Sequence, residues 1–417
     1  MTVFLQRSLR RACIIGAILI LSGCLFEERH TLILATDQPE MAAYVEMFNA
    51  QQDQFKVELV YSLNPADAVA SGRKDYDIIV SEGLASISYL SYFTPLDELF
   101  TEYGLDNESF YPESLRTGVF EEKQVLLPVS FTLPAILIRA GTVPQDAGGV
   151  LLPLDTMREE CRQFNTGDTT RFPIMGFSPK WTEDFFYTIA RIQNSRFRES
   201  TEGSVVWNNE NLEKAIEYTR EWTETINGGS PAENSFRETY LYDPGYKLVF
   251  SGRIRFFPLE YQKFLLVPAD IRQDVDFLWL SDGRRIPVNE DMVFAGIVKN
   301  PGAKKGAFSF LAWLFSPTTQ EKLLESAKFK RIRSFGIAGG FSSITQVNEL
   351  VLPKYFPSIT GRVPSPGQLD FPPTLPENWK RIKREVIIPY LRERNINERS
   401  GESLENRLLT WYTQQVP

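Results

Sequence analysis

Apolar and polar residues follow two different periods along the early part of the chain, and these periods predict strands and helices in turn. The run from Thr31 to Thr36 is apolar and long enough for a buried parallel strand. Apolar residues from Met41 to Phe48 then recur every three or four positions, as they do on one face of an amphipathic helix. The segment 55–61 alternates as a second strand. A strand, a helix and a strand in this order form a β-α-β unit, so we expect an α/β fold.

Similar patterns continue towards the C-terminal end of the chain. The turn-rich segment 141–149 indicates a change of domain, and 363–376 is a proline-rich loop. Further strands are predicted at 75–80, 124–130, 135–138, 253–257, 276–280 and 292–298. Further helices are predicted at 64–71, 84–90, 157–164, 183–196, 212–226, 307–314, 378–395 and 403–412.

The first residues carry a pattern that is typical of an export signal. Three arginines precede an apolar run from Ala12 to Leu21, and small residues follow it. A helix that crosses a membrane needs about 20 apolar residues, so this run is too short to be one. We therefore expect residues 1–23 to be a signal peptide and 24–30 to be a short tether.

The end of this signal resembles the lipobox of bacterial lipoproteins. Its residues are Leu21-Ser22-Gly23-Cys24, in which small residues stand directly before a cysteine. The resemblance implies cleavage before Cys24 and acylation of that cysteine, for example with palmitate. The protein would then be anchored to a membrane of the bacterial cell envelope, on its periplasmic or extracellular side. The alternative is a simple signal peptide that ends at a chance cysteine.

Length and charge narrow the class of protein. A chain of 417 residues is too long for one ordinary core, which suggests two domains that could be interleaved. The formal net charge is −8, and the signal contains arginines but no acid, so the exported form is more acidic still. Binding to nucleic acid draws on a basic surface and is therefore not expected.

The scarcity of histidine and cysteine excludes several kinds of chemistry. His30 is the single histidine and lies in the predicted tether. The folded part therefore lacks the histidine base of a Ser-His-Asp mechanism and the histidine ligands of a His-rich zinc site. Cys161 is the one cysteine outside the signal and lipobox, which rules out an intramolecular disulfide in the exported chain. The sequence contains neither a phosphate-binding loop nor a Rossmann glycine pattern, and it implies no cofactor.

Several segments, taken in order, resemble the family 1 extracellular solute-binding proteins, the maltose-binding-like receptors of ABC importers. They share short apolar, Pro-Leu-Asp, Leu-Pro-x-Ser and Ser-Pro patterns with that family, and they extend over nearly the whole exported chain. The segments are 75–79, 93–97, 127–130, 250–254 and 298–320. Two segments depart from the family pattern, namely Arg255-Phe256-Phe257 and the pair Gly339-Gly340.

The resemblance implies a two-lobed periplasmic-binding-protein fold with crossing hinge strands and a central cleft. The first lobe is expected at 31–137 with a return at 275–325. The second lobe is expected at 138–274 and 326–417. In this family a hinge closes the cleft on its ligand, and a permease recognises the closed form.

Candidate ligand-binding residues in the first lobe lie where strands end and helices begin, which is where ligands meet open α/β sheets. Carboxylates and amides at such positions could bind sugar hydroxyl groups, although capping of a helix is an alternative role for Asp37 and Glu40. The candidates are Asp37, Gln38, Glu40, Ser81, Glu82, Ser130 and Phe131.

Candidates in the second lobe follow a predicted loop and a predicted strand end. Aromatic rings there could stack on the apolar face of a sugar, although core packing explains Trp181 equally well. The candidates are Phe177, Trp181, Asp184, Phe257, Glu260 and Tyr261. Arg255 could bind an anionic group or pair with an acid at the surface.

The leading interpretation is a substrate-binding lipoprotein that captures a small solute, a sugar or an oligosaccharide, for an ABC importer. Its partners would be that solute, separate permease and ATPase chains, and the membrane through the lipid anchor. One alternative is a secreted glycosidase that uses two carboxylates about 5–10 Å apart. Another is a surface lipoprotein that kept the fold but serves adhesion or sensing, which the departures from the family pattern favour.

Overall fold

Two β-sheets form the framework of the fold, and the chain crosses between them several times. The computed structural model describes residues 30–72, 75–147, 149–168, 171–396 and 401–415. The strands are β1 His30–Thr36, β2 Phe55–Tyr61, β3 Ile78–Glu82, β4 Val119–Phe120, β5 Lys123–Gln124, β6 Leu127–Phe131, β7 Pro134–Arg139, β8 Leu151–Pro153, β9 Thr166–Asp168, β10 Arg171–Ile174, β11 Arg198–Glu199, β12 Val205–Val206, β13 Phe257–Glu260, β14 Val275–Ser281, β15 Ile286–Pro287, β16 Val293–Ile297, β17 Phe341–Ser342 and β18 Leu369–Asp370.

Helices cover the sheets and fill the space between them. They are α1 Met41–Gln51, α2 Pro65–Ala70, α3 Ile87–Leu90, α4 Asp97–Thr101, α5 Pro112–Arg116, α6 Leu154–Phe164, α7 Glu183–Ile192, α8 Asn209–Glu221, α9 Ser230–Tyr240, α10 Gly245–Phe250, α11 Tyr261–Leu265, α12 Ala269–Arg272, α13 Lys304–Leu314, α14 Pro317–Phe329, α15 Leu352–Tyr355, α16 Trp379–Ile382, α17 Ile388–Ile396 and α18 Leu404–Gln415. Short 3-10 or π-helical turns lie at Asn107–Ser109, Pro179–Trp181, Trp222–Ile226, Val347–Val351, Pro357–Ile359, Pro366–Gln368 and Lys383–Ile387.

The first sheet has six strands in the order β17-β6-β16-β3-β1-β2. Strand β1 lies between β2 and β3 and runs parallel to both. Leu34 and Ala35 in β1 point to opposite faces of the sheet and are both fully buried, as expected for a strand that is covered on both faces. The predicted β-α-β unit is therefore confirmed.

The second sheet has four strands in the order β13-β7-β14-β8. Its side chains alternate between two hydrophobic clusters, because successive residues of a strand point to opposite faces. Ile136 and Leu278 pack into the cluster formed with the helices α7, α8, α16 and α17, whereas Leu137 and Phe277 pack into the cluster that continues to the first sheet.

Two strands fall outside the predicted division of the chain. Strand β14 lies in the second sheet, although 275–325 was assigned to the first lobe, and β17 lies in the first sheet, although 326–417 was assigned to the second. Apolar patterns reveal a strand but not its neighbours. The backbone pairing of β14 with β7, and of β17 with β6, decides which sheet each strand joins.

The strand predicted at 253–257 begins only at Phe257. Arg255 and Phe256 donate their backbone N–H groups to the same carbonyl of Gly176, at 3.0 and 3.1 Å. These two residues therefore hold a loop in place instead of joining a sheet. The side chain of Arg255 forms an ion pair with Glu160 at 2.8 Å and donates to the carbonyl of Thr142, so the surface ion pair considered for it is the observed one.

The segments that cross between the sheets are hydrogen-bonded side by side. Thr132 stands between β6 and β7, and its carbonyl accepts from the backbone N–H of Asn289 at 3.0 Å. The Thr132 hydroxyl accepts from the Asn289 amide at 2.9 Å and donates to Asp291 at 2.8 Å. Strand β15 pairs in parallel with β18 beside them. These contacts fix the relative position of the two sheets at the crossing.

The predicted signal and lipobox, including Cys24, lie outside the described residues. Among the helices that the structure describes, none has the length and apolar character needed to cross a membrane.

We expect Gly340→Ala to destabilise the fold, because this residue lies against the edge of β6. A Cβ atom at Gly340 would lie 2.5 Å from the carbonyl oxygen of Phe131 and 3.1 Å from its backbone nitrogen. Backbone atoms cannot move aside as a flexible side chain can, so we expect a loss of about 1–3 kcal/mol in the free energy of unfolding. Thermal denaturation followed by circular dichroism measures it.

The matched control is Gly367→Ala, where an added Cβ meets nothing within 4 Å. This variant should change the free energy of unfolding by no more than about 0.5 kcal/mol. Equal melting temperatures for the two variants would contradict the close approach of Gly340 to β6.

Candidate functional site

Glu290 lies at the junction of three cavities of about 200, 300 and 570 Å3. It belongs to the crossing segment just before β16, and its side chain is 6% exposed. We call the cavity of about 200 Å3 the first-sheet cavity, because Asp37 and Ser81 line it. The cavity of about 300 Å3 is the second-sheet cavity, because Ala135 and Glu260 line it. Together these two cavities form the candidate ligand cleft.

The buried carboxylate of Glu290 is surrounded by donors from distant parts of the chain. The Tyr187 hydroxyl donates to one oxygen, and Trp379 Nε1 donates to the other at 2.6 Å. Arg191 Nε lies 4.0 Å and Lys383 Nζ 3.6 Å from the carboxylate. A buried charge is tolerated only when it is paired and hydrogen-bonded, and here both conditions are met.

The hydroxyl of Tyr187 is a neutral donor in this cluster. Burial raises the pKa of Tyr187 well above its ordinary value, and the negative charge of Glu290 raises it further. The proton therefore stays on the tyrosine and is available to the carboxylate.

The first-sheet cavity is built on the ends of two neighbouring parallel strands. Thr36 at the end of β1 pairs with Val80 in β3, so Asp37 comes to lie beside Glu82. One oxygen of Asp37 accepts from the backbone N–H of Glu82 at 3.3 Å, and the other accepts from the amide of Gln38 at 2.8 Å. The sequence-predicted residues Asp37, Ser81 and Glu82 are thus brought together, with Gln38 holding the carboxylate of Asp37.

Lys380 closes this cavity from the C-terminal region and forms an ion pair with Glu82. Burial raises the pKa of Glu82, although the hydrogen bond and the charge of Lys380 act in the opposite direction. Lys380 is 72% exposed, so the pair lies at the rim of the cleft and contributes about 0–1 kcal/mol.

Two more first-lobe candidates bond to the loop before β17 and line neither cavity of the cleft. Glu40 accepts a hydrogen bond from the Ser334 hydroxyl at 2.6 Å, and Ser130 donates to the carbonyl of Ala338 at 3.2 Å. Glu40, directly before α1, and Ser130, in β6, are therefore both joined to the loop before β17. We therefore assign these residues to the support of that loop and leave them out of the proposed ligand site.

The second-sheet cavity contains two of the predicted acids. Asp184 lies exposed in the first turn of α7, and Glu260 ends β13, where it accepts from Gln262 at 2.8 Å and Lys263 at 3.1 Å. Asp291 from the crossing segment faces the same space. Carboxylates from three elements therefore converge here, which is a suitable arrangement for binding hydroxyl groups.

The predicted aromatic residues pack against the protein itself. The rings of Phe131, Phe177 and Tyr261 are 2%, 0% and 2% exposed, so no ring face is open to a ligand in this structure. Trp181 is half-buried and stacks on Phe236 at 5.2 Å, and Phe257 covers the backbone of Gly245. Phe177 and Tyr261, for which stacking on a sugar was expected, fill cores that the sequence pattern did not reveal, and Phe131 does the same.

No local sequence pattern marks the residues that organise the cleft. Glu290, Tyr187 and Lys380 stand outside any recognisable motif, and Trp379 follows a proline-rich loop. The Glu82–Lys380 contact spans 298 positions of the chain. Such partners could be found only from the fold.

A second buried carboxylate joins the two parts of the molecule. Glu199 in β11 accepts from the Ser86 hydroxyl at 3.0 Å and from the backbone N–H of Ile87 at 2.8 Å, at the start of α3. Burial raises the pKa of Glu199, and these two hydrogen bonds partly offset that effect. The contact pins β11, which lies close to the second cluster, to a helix beside the first sheet.

Solved structures of sugar-binding proteins share this fold. The sugar-binding protein MalE from the phytopathogen Xanthomonas citri matches with a TM-score of 0.62 and 13% identity, over 93% of this chain and 100% of that chain. A sugar transporter from Rhizobium etli in an open conformation matches with a TM-score of 0.62 and 12% identity, over 93% and 100%. An ABC substrate-binding protein from Listeria monocytogenes in complex with cycloalternan matches with a TM-score of 0.60 and 13% identity, over 93% and 98%. Neither a family model nor a curated protein sequence matches the chain.

The chain therefore has the α/β fold of the two-lobed ABC substrate-binding proteins, with crossing segments between its sheets. This confirms the fold class that the order of sequence segments predicts. At identities of 12–13% the likeness concerns the fold, and it leaves the ligand to be argued from the cleft.

We expect Asp291→Asn to raise the melting temperature at neutral pH. Burial raises the pKa of Asp291, and the nearby charge of Glu260 raises it further, whereas the Thr132 hydrogen bond acts in the opposite direction. A carboxyl whose pKa is raised in the native state favours the native state more as pH falls towards its ordinary value. The wild type should therefore gain stability as the pH falls from neutrality towards the ordinary carboxyl pKa of 3.8, and Asp291→Asn should lose part of that gain.

The measurement is a series of thermal melts across this pH window. Asp243→Asn is the matched control, because Asp243 is exposed and lies in a turn between α9 and α10. If the Asp291 variant kept the full pH dependence of the wild type, the effect of burial on Asp291 would be disproved.

Proposed function

We propose that this protein is the substrate-binding component of an ABC importer and that it captures a small sugar or oligosaccharide in the cleft beside Glu290. The observation that carries the proposal is the match of the fold, over nearly its whole length, to a sugar-binding protein, a sugar transporter and a substrate-binding protein in complex with cycloalternan. A binding role needs no catalytic group and no cofactor. The separate permease and ATPase chains would use the bound form.

The chemistry of the cleft supports a ligand rich in hydroxyl groups. Asp37 and Glu82 on one side, and Glu260 and Asp291 on the other, supply carboxylate acceptors. A sugar hydroxyl can donate to such an oxygen and accept from Lys380 or Lys383 at the same time. The aromatic ring of Trp379 lines the first-sheet cavity and is held by Glu290.

The size of the cleft favours a small ligand in the conformation observed. Its two cavities have volumes of about 200 and 300 Å3, which lie below and at the lower limit of the range of roughly 300–1,000 Å3 found for ligand pockets. Opening at the crossing segments around Thr132 would enlarge this space. Closure on the ligand would restore the Glu82–Lys380 and Glu199–Ser86 contacts.

The two sheets suggest how the chain divides into lobes. The first lobe takes the segments that build the first sheet, including β16, β17 and the helices α13 and α14. The second lobe takes the segments from β7 to β14 and the C-terminal helices from α16 onwards. This division keeps the predicted alternation of lobes and moves its boundaries to the crossing segments near Thr132 and Glu290.

We expect a sugar ligand to raise the melting temperature and to change the fluorescence of tryptophan. A ligand that binds only the native form stabilises it, by about 2.7 kcal/mol at a hundred times its Kd. The measurement is a thermal-shift screen of mono-, di- and oligosaccharides, followed by titration calorimetry of each hit. A screen without a hit would contradict the carbohydrate assignment, and turnover of a sugar would contradict a purely binding role.

Asp37→Ala should weaken the binding of a hit by roughly tenfold or more, since it removes a charged acceptor worth about 1.5–3 kcal/mol. Glu238→Ala is the matched control, because Glu238 is exposed on α9 and lines none of the three cavities. If Asp37→Ala and Glu238→Ala lowered the affinity for the sugar equally, the ligand would bind outside the first-sheet cavity.

We further propose that the protein is tethered to the cell envelope through Cys24. The support is the lipobox-like sequence before it and the start of β1 at His30, which leaves a short connection between the anchor and the first sheet. The tether would keep the cleft close to the permease.

Cys24→Ser should release the protein from the membrane fraction without changing its affinity for a ligand. Fractionation of expressing cells and mass spectrometry of the purified protein test this expectation, with Cys161→Ser as the matched control. A Cys24 variant that stayed acylated and bound to membranes would refute the anchor while leaving the cleft unaffected.

A further inference from the structure

The third cavity at Glu290 is lined by arginines. It has a volume of about 570 Å3 and lies between α5, the end of α7, β11 and the segment that follows β18. We call it the arginine cavity. Its arginines are Arg116, Arg191, Arg196, Arg198 and Arg285.

The charge of the arginine cavity is opposite to that of the neighbouring first-sheet cavity. Its five arginines face three carboxylates, those of Glu113, Glu290 and Asp370. The protein as a whole carries a formal net charge of −8, so this excess of positive charge is local. Positive charge gathered in a concave site raises the local concentration of anions.

Two of the arginines have structural partners within the protein. Arg285 forms an ion pair with Asp370 at 3.2 Å, and Arg191 donates to the carbonyl of Val288 at 2.6 Å. For Arg116, Arg196 and Arg198, no carboxylate lies within ion-pair distance among the described residues. The charges of these three guanidinium groups are therefore available to a ligand.

The loop that presents Arg196 has an unusual backbone conformation. Asn194 and Arg196 have φ angles of 67° and 46°, which residues other than glycine seldom adopt. Arg196 Nε donates to the Asn194 side chain at 2.6 Å, which orients the guanidinium and leaves its terminal nitrogens unengaged by that bond. Strain of this kind is kept where the surrounding structure requires it, and it clusters at binding sites.

We propose that the arginine cavity binds a small, multiply charged oxyanion of the phosphate type. Guanidinium groups match the oxygens of phosphate and carboxylate with two parallel hydrogen bonds each. Arg116 is the last residue of α5, whereas Arg198 lies in β11, so a bound anion would connect two parts of the chain that are far apart in sequence. The site does not depend on the proposed capture of a sugar, because its unpaired arginines lie outside the two cavities of the cleft.

The test is titration calorimetry of the full chain with pyrophosphate and with citrate, each against potassium chloride of equal ionic strength. We expect saturable binding of pyrophosphate and a rise in melting temperature. The double variant Arg116→Gln/Arg198→Gln should weaken the binding by roughly tenfold or more for each arginine removed. Neither side chain has a hydrogen-bond partner among the described residues, so the variant should fold like the wild type, which circular dichroism checks.

Arg237→Gln is the matched control, because Arg237 is exposed on α9 and lines none of the cavities. Stronger binding of pyrophosphate than of citrate supports the phosphate-type ligand, and the reverse order overturns that choice. If potassium chloride of equal ionic strength gives the same response as pyrophosphate, the proposed site is wrong. It is also wrong if the double variant retains full binding. A sugar that binds the double variant normally would show that the cleft and the arginine cavity are separate.

Discussion

The burial of one carboxylate, that of Glu290, constrains the centre of this molecule. The Glu290 side chain is 6% exposed, so its carboxylate needs hydrogen-bond donors or cations from the protein. They are Tyr187 in α7, Trp379 in α16 and Lys383 in the turn that follows α16. Removing one partner of a buried charge generally costs about 3–5 kcal/mol, because the remaining charge stays buried without compensation. The positions of these elements relative to the crossing segment are therefore coupled, and the cavities around Glu290 owe their shape to that coupling.

The contacts that bridge the cleft differ in strength according to their exposure. The Glu82–Lys380 pair is open to solvent on the lysine side, so it is screened and easily broken. Glu199 is buried and bonded to two donors at the start of α3, so its separation from them would be more costly unless water replaced both bonds. A hinge at Thr132 that opens the cleft would have to break the Glu199 contact. Of these two contacts, that of Glu199 would therefore resist separation more.

Aromatic residues show why residue type alone is a poor guide to a ligand site. Phe131 stacks on Phe341, and Phe177 packs edge-on against Phe185 and Trp222. Phe131 follows a predicted strand and Phe177 lies in a predicted loop, where ligand-binding residues are often found, yet their rings complete the core. The sequence predicts a helix around Trp379 but no ligand-binding role for it, and in the structure this residue lines the cleft.

Residue patterns alone are enough to predict most of the local elements and one edge of the site. Apolar runs defined β1 and β3, and because parallel strands end at the same edge of a sheet, Asp37 had to meet Ser81 and Glu82. Tertiary structure alone decided that β14 joins the second sheet, that Lys380 reaches Glu82, and that Glu290 lies at the junction of the cavities. The physical reason is that periodicity records which face of a segment is buried, whereas the partner of a buried charge or of a strand edge is chosen by long-range packing.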